Sequence, residues 1–347
     1  MSTEARPVLT IVIKAFNEEA KIGQAIESAL AAAGETGPST EIIVADSLST
    51  DRTIDIASQF PVKVVQLAAA EERGCGAGTQ LGFQHAQGNL VYFMDGDMQL
   101  TAGFLPRALA ELESDSQLAG VAGLVVDTRI LNDIDRIRIN NKSVTKAGGM
   151  PWLGGGGLYR RQAIASAGGY AADKNLKGYE EADLGLRLRA AGWRLLRLPL
   201  PAVQHTGHDL DTWPLLNRHW RSGRAMAGGV LLKSAFGKPW FWQVVRMLAH
   251  PLATLGWWLG LAAGLLLVEA GRLGQFAALW LSLPLAAMLH LAWRKGRLRH
   301  ALVSIAIWHY AAAALLIGLG MRQRDPLRPI GARLLHDGAA PRLARAR

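Results

Sequence analysis

The first part of the chain alternates short apolar runs with amphipathic segments. "VLTIVIKAF" is a β-branched run, and "NEEAKIGQAIESALAAA" follows it with Ile22, Ile26, Ala29 and Ala33 at helical spacing. "EIIVADS" precedes "TDRTIDIASQF" in the same way, and "VKVVQL" and "NLVYFMD" supply a third and a fourth strand. Strands alternating with helices predict an α/β fold, a mainly parallel sheet with helices on both faces. From about residue 250 the pattern changes. Residues 251–268, 273–293 and 301–321 carry no Asp, Glu, Lys or Arg, and each reaches the roughly 18 to 20 residues that cross a bilayer. Three such stretches in succession are unusual in a globular domain, so three transmembrane helices are predicted. "GKPWFWQVVRML" before them joins cations to Trp240, Phe241 and Trp242, the make-up of an interfacial helix. The expected division is a cytosolic domain over 1–235, an interfacial segment over 236–249, membrane helices over 250–321 and a basic tail over 322–347.

Charge and cysteine content narrow the setting. The 347 residues hold 38 Lys and Arg against 28 Asp and Glu, a net +10 that suits an anionic partner such as phosphate or a membrane surface. The cations cluster beside the apolar spans, which disfavours nucleic acid as the partner. Cys75 is the one cysteine, so an intrachain disulfide and a cysteine-built zinc site are excluded, and a reducing compartment fits. The N-terminal "MSTEARPVLTIVIKAF" lacks the cationic region and longer apolar stretch of a secretory signal, so the first domain is expected in the cytosol. Orientation is in conflict. The loop "RKGRLR" (294–299) has four cations and reads as cytosolic, as does the first domain. Three full crossings, however, place the tail, with seven Arg against Asp325 and Asp337, outside. Either the positive-inside rule is broken or one segment is re-entrant.

In sheets of this kind ligands bind beyond the carboxyl ends of the strands, and the polar residues gather there. Asn17 and Glu18 follow the first strand, Asp46 and Ser47 the second, and Asp95 and Asp97 the fourth. Taken singly, each has a plain structural use: Asn17, Ser49 and Thr50 serve equally as helix caps, and Asp-Gly-Asp makes ordinary turns. Asp95 and Asp97 also have the spacing to reach one hard cation, and Mg²⁺ or Mn²⁺ takes carboxylate, phosphate and water oxygens. "GCGAG" (74–78) looks like a phosphate loop with an acid twenty residues on. It follows "AAAEER" instead of a strand, so it reads as a loop entering a helix, with Arg73 free for a phosphate. Structural glycine turns account for it equally.

Five segments in order, "IVIKAFNEEAKI", "VADSLSTDRT", "GNLVYFMDGDMQL", "GGGGLYRRQAIASAGGY" and "GYEEADLGLRLRAAGWR", resemble the GT-A catalytic domain of inverting family 2 glycosyltransferases, over about residues 8–210. The resemblance implies a GT-A nucleotide-diphospho-sugar transferase domain, membrane-anchored through the C-terminal helices. It places Phe16, Asn17, Glu18 and Asp46 in the nucleotide pocket, with Arg73 and Asp95 beside it and Gly155 and Gly156 under the donor sugar. It assigns the metal, Mg²⁺ or Mn²⁺, to Asp97, Asp95 and His205. The family usually reads Glu-Asp-x-Asp-Leu where this chain has Glu180, Glu181 and Asp183, and the general base falls on Glu181. Glu for Asp keeps the acid-base chemistry but leaves Glu180 as a possible substitute. Acids first and Arg187 and Arg189 last in that helix also satisfy its dipole alone. "NRHWRSGRA" matches the Gln-x-x-Arg-Trp signature of processive members poorly, Asn217 standing for Gln and His219 separating Arg218 from Trp220. The implied activity is transfer from a nucleotide-diphosphate sugar to a lipid-linked or glycan acceptor at the inner membrane. A processive polymer synthase and a non-catalytic scaffold are the alternatives.

Overall fold

The computed structural model describes residues 8–36, 39–140, 145–295 and 298–338. Among these, the strands are β1 (Leu9–Ala15), β2 (Thr40–Asp46), β3 (Lys63–Leu67), β4 (Leu90–Asp95), β5 (Met98–Leu100), β6 (Leu118–Asp127), β7 (Gly148–Gly149), β8 (Gly157–Arg160), β9 (Arg194–His205) and β10 (Ala332–Asp337). The helices of the same part are α1 (Ile22–Thr36), α2 (Thr53–Ala57), α3 (Cys75–His85), α4 (Phe104–Ser114), α5 (Asp133–Asn140), α6 (Arg161–Ser166), α7 (Glu180–Ala190) and α8 (Thr212–Ser222). Then come α9 (Ala227–Ala235), α10 (Phe241–Met247), α11 (Ala249–Leu267), α12 (Leu273–Lys295) and α13 (Leu298–Gly320).

The chain divides into two compact units, one running to Arg224 and resuming at Gln323, the other Ala225–Arg322. The boundary therefore falls before the expected residue 235, and α9 groups with the apolar helices. In the first unit the strands form one sheet in the order β10-β3-β2-β1-β4-β8-β6-β9-β5, with β7 beside β9. β1, β2, β3 and β4 are mutually parallel, and the other half is mixed. Alternation along β1 shows why the strand is apolar throughout. Leu9, Ile11 and Ile13 enter the core under α1 and α4, while Val12 enters the core under α3. A strand buried on both faces has no polar side to show.

The glycine-rich stretch enters a helix as expected, through Arg73 and Gly74 into α3 at Cys75. Its glycines are spacers: a Cβ at Gly76 would strike the carbonyls of Asp173 and Leu176, and one at Gly82 would strike Val12. Part of the basic tail joins the sheet. β10 pairs antiparallel with β3, Ala332 opposite Leu67, and becomes the edge of the sheet.

In the second unit, α11, α12 and α13 are long and apolar enough to span a bilayer, with mean hydropathy 1.3, 1.6 and 2.0. α13 approaches α9 closely at Gly229 and Gly318, where any Cβ would collide with backbone; small residues allow such contact in apolar surroundings.

Candidate active site

The site lies at the carboxyl ends of β1, β2 and β4 and is assembled by sheet register. Lys14 on β1 sits opposite Asp95 on β4, and its Nζ donates to Asp95 Oδ1 at 3.0 Å and to Glu180 Oε1 at 2.8 Å. Burial disfavours the Lys14 ammonium, but Asp95 and Glu180 outweigh it and hold its pKa above the usual lysine value. Burial alone would push Glu180 up, yet Lys14 keeps it below the ordinary glutamate range. Glu181 has no such partner. Burial, which exceeds the help from Lys14, raises it from 4.5 to about 7. Its Oε1 accepts from the Gly155 N–H at 3.0 Å. The two neighbouring glutamates are thus shifted in opposite directions by environment alone.

The glycine run serves this arrangement. Gly155 and Gly156 have φ of +79° and +97°, and a Cβ at Gly155 would enter Val125. The left-handed backbone turns the Gly155 N–H toward Glu181 at little cost only for glycine. Arg197, fully buried on β9, donates to the Gly154 carbonyl at 3.1 Å and braces the run. Lys14, Asp95, Gly156, Glu180 and Glu181 line one cleft.

Asp97 and His205 meet by a second register. Asp127 ends β6 opposite His205 at the end of β9, and Met98 on β5 faces His205 from the other side. His205 Nδ1 lies 2.6 Å from Asp127 Oδ1, and its Nε2 lies 3.3 Å from Asp97 Oδ2. Burial would raise Asp97, but the His205 hydrogen bond and charge hold it low. Asp97 Oδ1 is buried without a hydrogen-bond partner. A carboxylate and an imidazole with one unsatisfied oxygen fit Mn²⁺ or Mg²⁺. Asp95 is instead turned to Lys14, and among the described residues no three such side chains close into a cage. The Asp127–His205 pair has the form of a carboxylate that orients a ligating histidine. Asp127→Asn is expected to weaken Mn²⁺ binding by about 10- to 100-fold, measured by titration of the purified protein with Mn²⁺.

Asp46 is fully buried. Its Oδ2 accepts from the Ser49 N–H at 3.0 Å and Gln66 Nε2 at 2.9 Å, and its Oδ1 has no partner. That open acceptor is suited to an N–H of a nucleotide base. Asn17, at φ 54°, caps no helix; its Oδ1 accepts from the Thr50 N–H at 2.8 Å and joins the loops after β1 and β2. Glu18 beside them is raised to about 7 by burial and then by Asp97.

Two expected roles differ from what the side chains do. Arg73 is not free for a phosphate: it donates to the Ser47 and Leu48 carbonyls and stacks 4.4 Å over the Phe16 ring, holding the pocket wall. Asp183 does not line the cavity. It forms a buried ion pair with Arg187 at 2.8 Å, and Arg187 also donates to the carbonyls of Ala167, Tyr170 and Ala171. Arg187→Ala should cost about 3–5 kcal/mol by stranding that carboxylate, read as a lower midpoint in thermal melts. His208 pairs with buried Asp135 at 2.9 Å and is thereby held against α5.

Comparison with known proteins points to one family. Residues 10–162 match Glycosyl transferase family 2. That stretch, under half of the chain, reads as a family 2 glycosyltransferase domain. An undecaprenyl-phosphate 4-deoxy-4-formamido-L-arabinose transferase of Edwardsiella ictaluri is 28% identical over 116 residues, 32% of this chain and 36% of its own. A dodecaprenyl-phosphate galacturonate synthase of Rhizobium johnstonii is 32% identical over 111 residues, 30% of this chain and 32% of its own. The chain thus spans about a third of the length of these curated relatives. Among solved structures, a mannosyltransferase of Pyrobaculum calidifontis in complex with GDP-Man and Mn²⁺ superposes with TM-score 0.59 at 20% identity. That match covers 91% of this chain and 88% of the other, and with it the catalytic unit has the GT-A fold. Lys14, Asp127 and Arg197 are the site residues that the sequence reading assigned no role. Each was signalled by a charge at the end of, or within, an apolar strand: "IVIKAF", "VAGLVVDT" and "RLLRLPL".

Proposed function

We propose that this protein is an inverting glycosyltransferase that moves a sugar from a nucleotide-diphosphate donor to a hydroxyl of a lipid-linked acceptor. The observation that carries this reading is Glu181, raised to about 7 and aimed from α7 by the Gly155 N–H. A general base works best with a pKa near the working pH. Glu181 takes the acceptor O–H proton while that oxygen attacks the anomeric carbon, and the bond from that carbon to the diphosphate breaks on the opposite side. Lys14 pairs with Asp95 and keeps Glu180 below the ordinary glutamate range, so Glu181 is the carboxylate left to accept the proton. Asp46 receives the base, with Phe16, Asn17 and Glu18 around it. Asp97 and His205 would hold Mg²⁺ or Mn²⁺, which when bound neutralises charge on the departing diphosphate.

The relatives named for polyprenyl phosphates suggest a phosphate nucleophile, but the cavity's charge favours a neutral hydroxyl. Asp95, Glu180 and Glu181 face Lys14 alone in its wall, with Arg224 nearby, 3.4 Å from Cys75 Sγ. An ionised phosphate needs no base and is repelled by three carboxylates. The apolar helices and the cations next to them support a multi-pass inner-membrane enzyme with its catalytic unit in the cytosol. The test is a panel of nucleotide sugars with Mn²⁺ or Mg²⁺ offered to membranes, with polyprenyl phosphate and hydroxyl-bearing glycolipid acceptors in separate arms. Transfer to the hydroxyl arm is expected. No metal-dependent transfer or hydrolysis of any donor would remove the reading, and transfer to phosphate alone would remove its acceptor.

A further inference from the structure

The chain leaves the catalytic unit after Arg224 and rejoins it at Gln323. The returning segment is bound at many points: Arg324 to Glu72 at 3.0 Å, Lys174 to the Arg328 carbonyl, Gln84 to Ile330 through two bonds, and β10 to β3. A strand hydrogen-bonded into a sheet lies on the same side of a membrane as that sheet. The intervening helices therefore cross an even number of times, and three crossings are excluded. We infer that α11 and α12 cross the bilayer as a hairpin, and that α13, although the most apolar of the three, begins and ends on the catalytic side. This rests on the membrane reading above.

Elimination by charge selects the pair. If α12 and α13 crossed, or α11 and α13, the connector 294–299 with its four cations would lie on the far side, against the positive-inside bias. Only the α11–α12 pair keeps that connector and Arg322, Arg324 and Arg328 together on the catalytic side. The far side then receives residues 268–272, where Glu269 and Arg272 balance.

Packing within the helical unit agrees. α11 and α12 run antiparallel, since Gly260 faces Trp280 and Gly264 faces Phe276. Their distal parts are bare, with Leu265, Leu266 and Leu267 at 57%, 84% and 82% exposure; such a surface needs lipid. α13 packs on the N-terminal half of α11, where its adjacent residues Trp308 and His309 meet His250 and the Trp257–Trp258 pair.

Site-directed labelling in a Cys75→Ser background tests this. Gln59→Cys marks the catalytic side, Leu327→Cys the tail and Gly271→Cys the hairpin tip, where an added side chain meets open space. With a membrane-impermeant maleimide on sealed vesicles of each orientation, Leu327→Cys should label with Gln59→Cys, and Gly271→Cys only in the opposite orientation. Tags at the two ends of the chain with native Cys75 should be cut by added protease from one and the same side. Tail and catalytic marker on opposite faces would overturn the even count. Hairpin tip and catalytic marker on one face would overturn the crossing of α11 and α12. Recovery of the chain in the soluble fraction overturns the membrane reading itself, and loss of glycosyl transfer alone touches neither result.

Discussion

Glu181→Gln is expected to lower turnover by about 10²- to 10⁴-fold while making the folded protein more stable at neutral and alkaline pH. The amide oxygen still accepts from Gly155, so binding of the donor should change little and the loss should fall on kcat. The stability effect follows from proton linkage. The carboxyl rises from 4.5 to about 7 on folding, so the folded state holds this proton more tightly than the unfolded chain. Its contribution is fully present below about pH 4.5 and is lost as pH rises through about 7. Gln resembles the protonated form at every pH, and at pH 8 it should stabilise by on the order of 1–3 kcal/mol. The same shift sets the activity profile of the native enzyme: kcat should fall about tenfold per unit below pH 7, with that acid limb absent from the residual activity of Glu181→Gln. Equal activity in the variant, or an unchanged acid limb, would falsify the role of Glu181. Glu181→Asp, which restores the residue usual in the family, should keep measurable turnover.

Asp97→Asn carries the second large effect. Asp97 offers one oxygen to His205 and keeps the other buried and unpaired, an arrangement that favours a cation in the gap. The amide removes the charge while keeping the shape, so a loss of about 10²–10³ in kcat is expected. Mn²⁺ affinity should fall in parallel, read by titration of the protein without donor. The thermal midpoint in metal-free buffer at neutral pH should fall modestly, because His205 holds the Asp97 carboxylate below its ordinary pKa and the amide forfeits that interaction. Full activity with unaltered Mn²⁺ binding would place the metal elsewhere.

The catalytic half was legible in sequence to the extent that its signals are local. Strands β1 to β4 announce themselves because they are buried on both faces, and the polar residues at their ends mark the ligand edge whatever the details. What escaped was set by distant partners. Asp183 and Glu181 lie two positions apart in one helix, yet one meets Arg187 and the other Gly155; helical periodicity does not state which neighbour a carboxylate will find. Arg73 was expected to reach outward because nothing nearby in sequence reveals the two carbonyls that hold it. The glycines of α3 look like a turn until the chain at 173–176 is brought against them. β10 was hidden most completely, since "ARLLHD" is short, stands among arginines and gains its meaning only from β3, some 265 residues earlier.

That pairing also governs the order in which the protein is made. β3 is synthesised early, but its edge stays open until the ribosome has passed all the apolar helices and delivered β10. An open edge strand invites association with other chains, and contacts so far apart in sequence close slowly. A chain shortened to the first 235 residues would carry every proposed catalytic group and still lack one border of its sheet. Maturation of the sheet is in this sense a late event, completed only after the apolar helices have been made, and unfinished chains are the ones left exposed to chaperones and proteases.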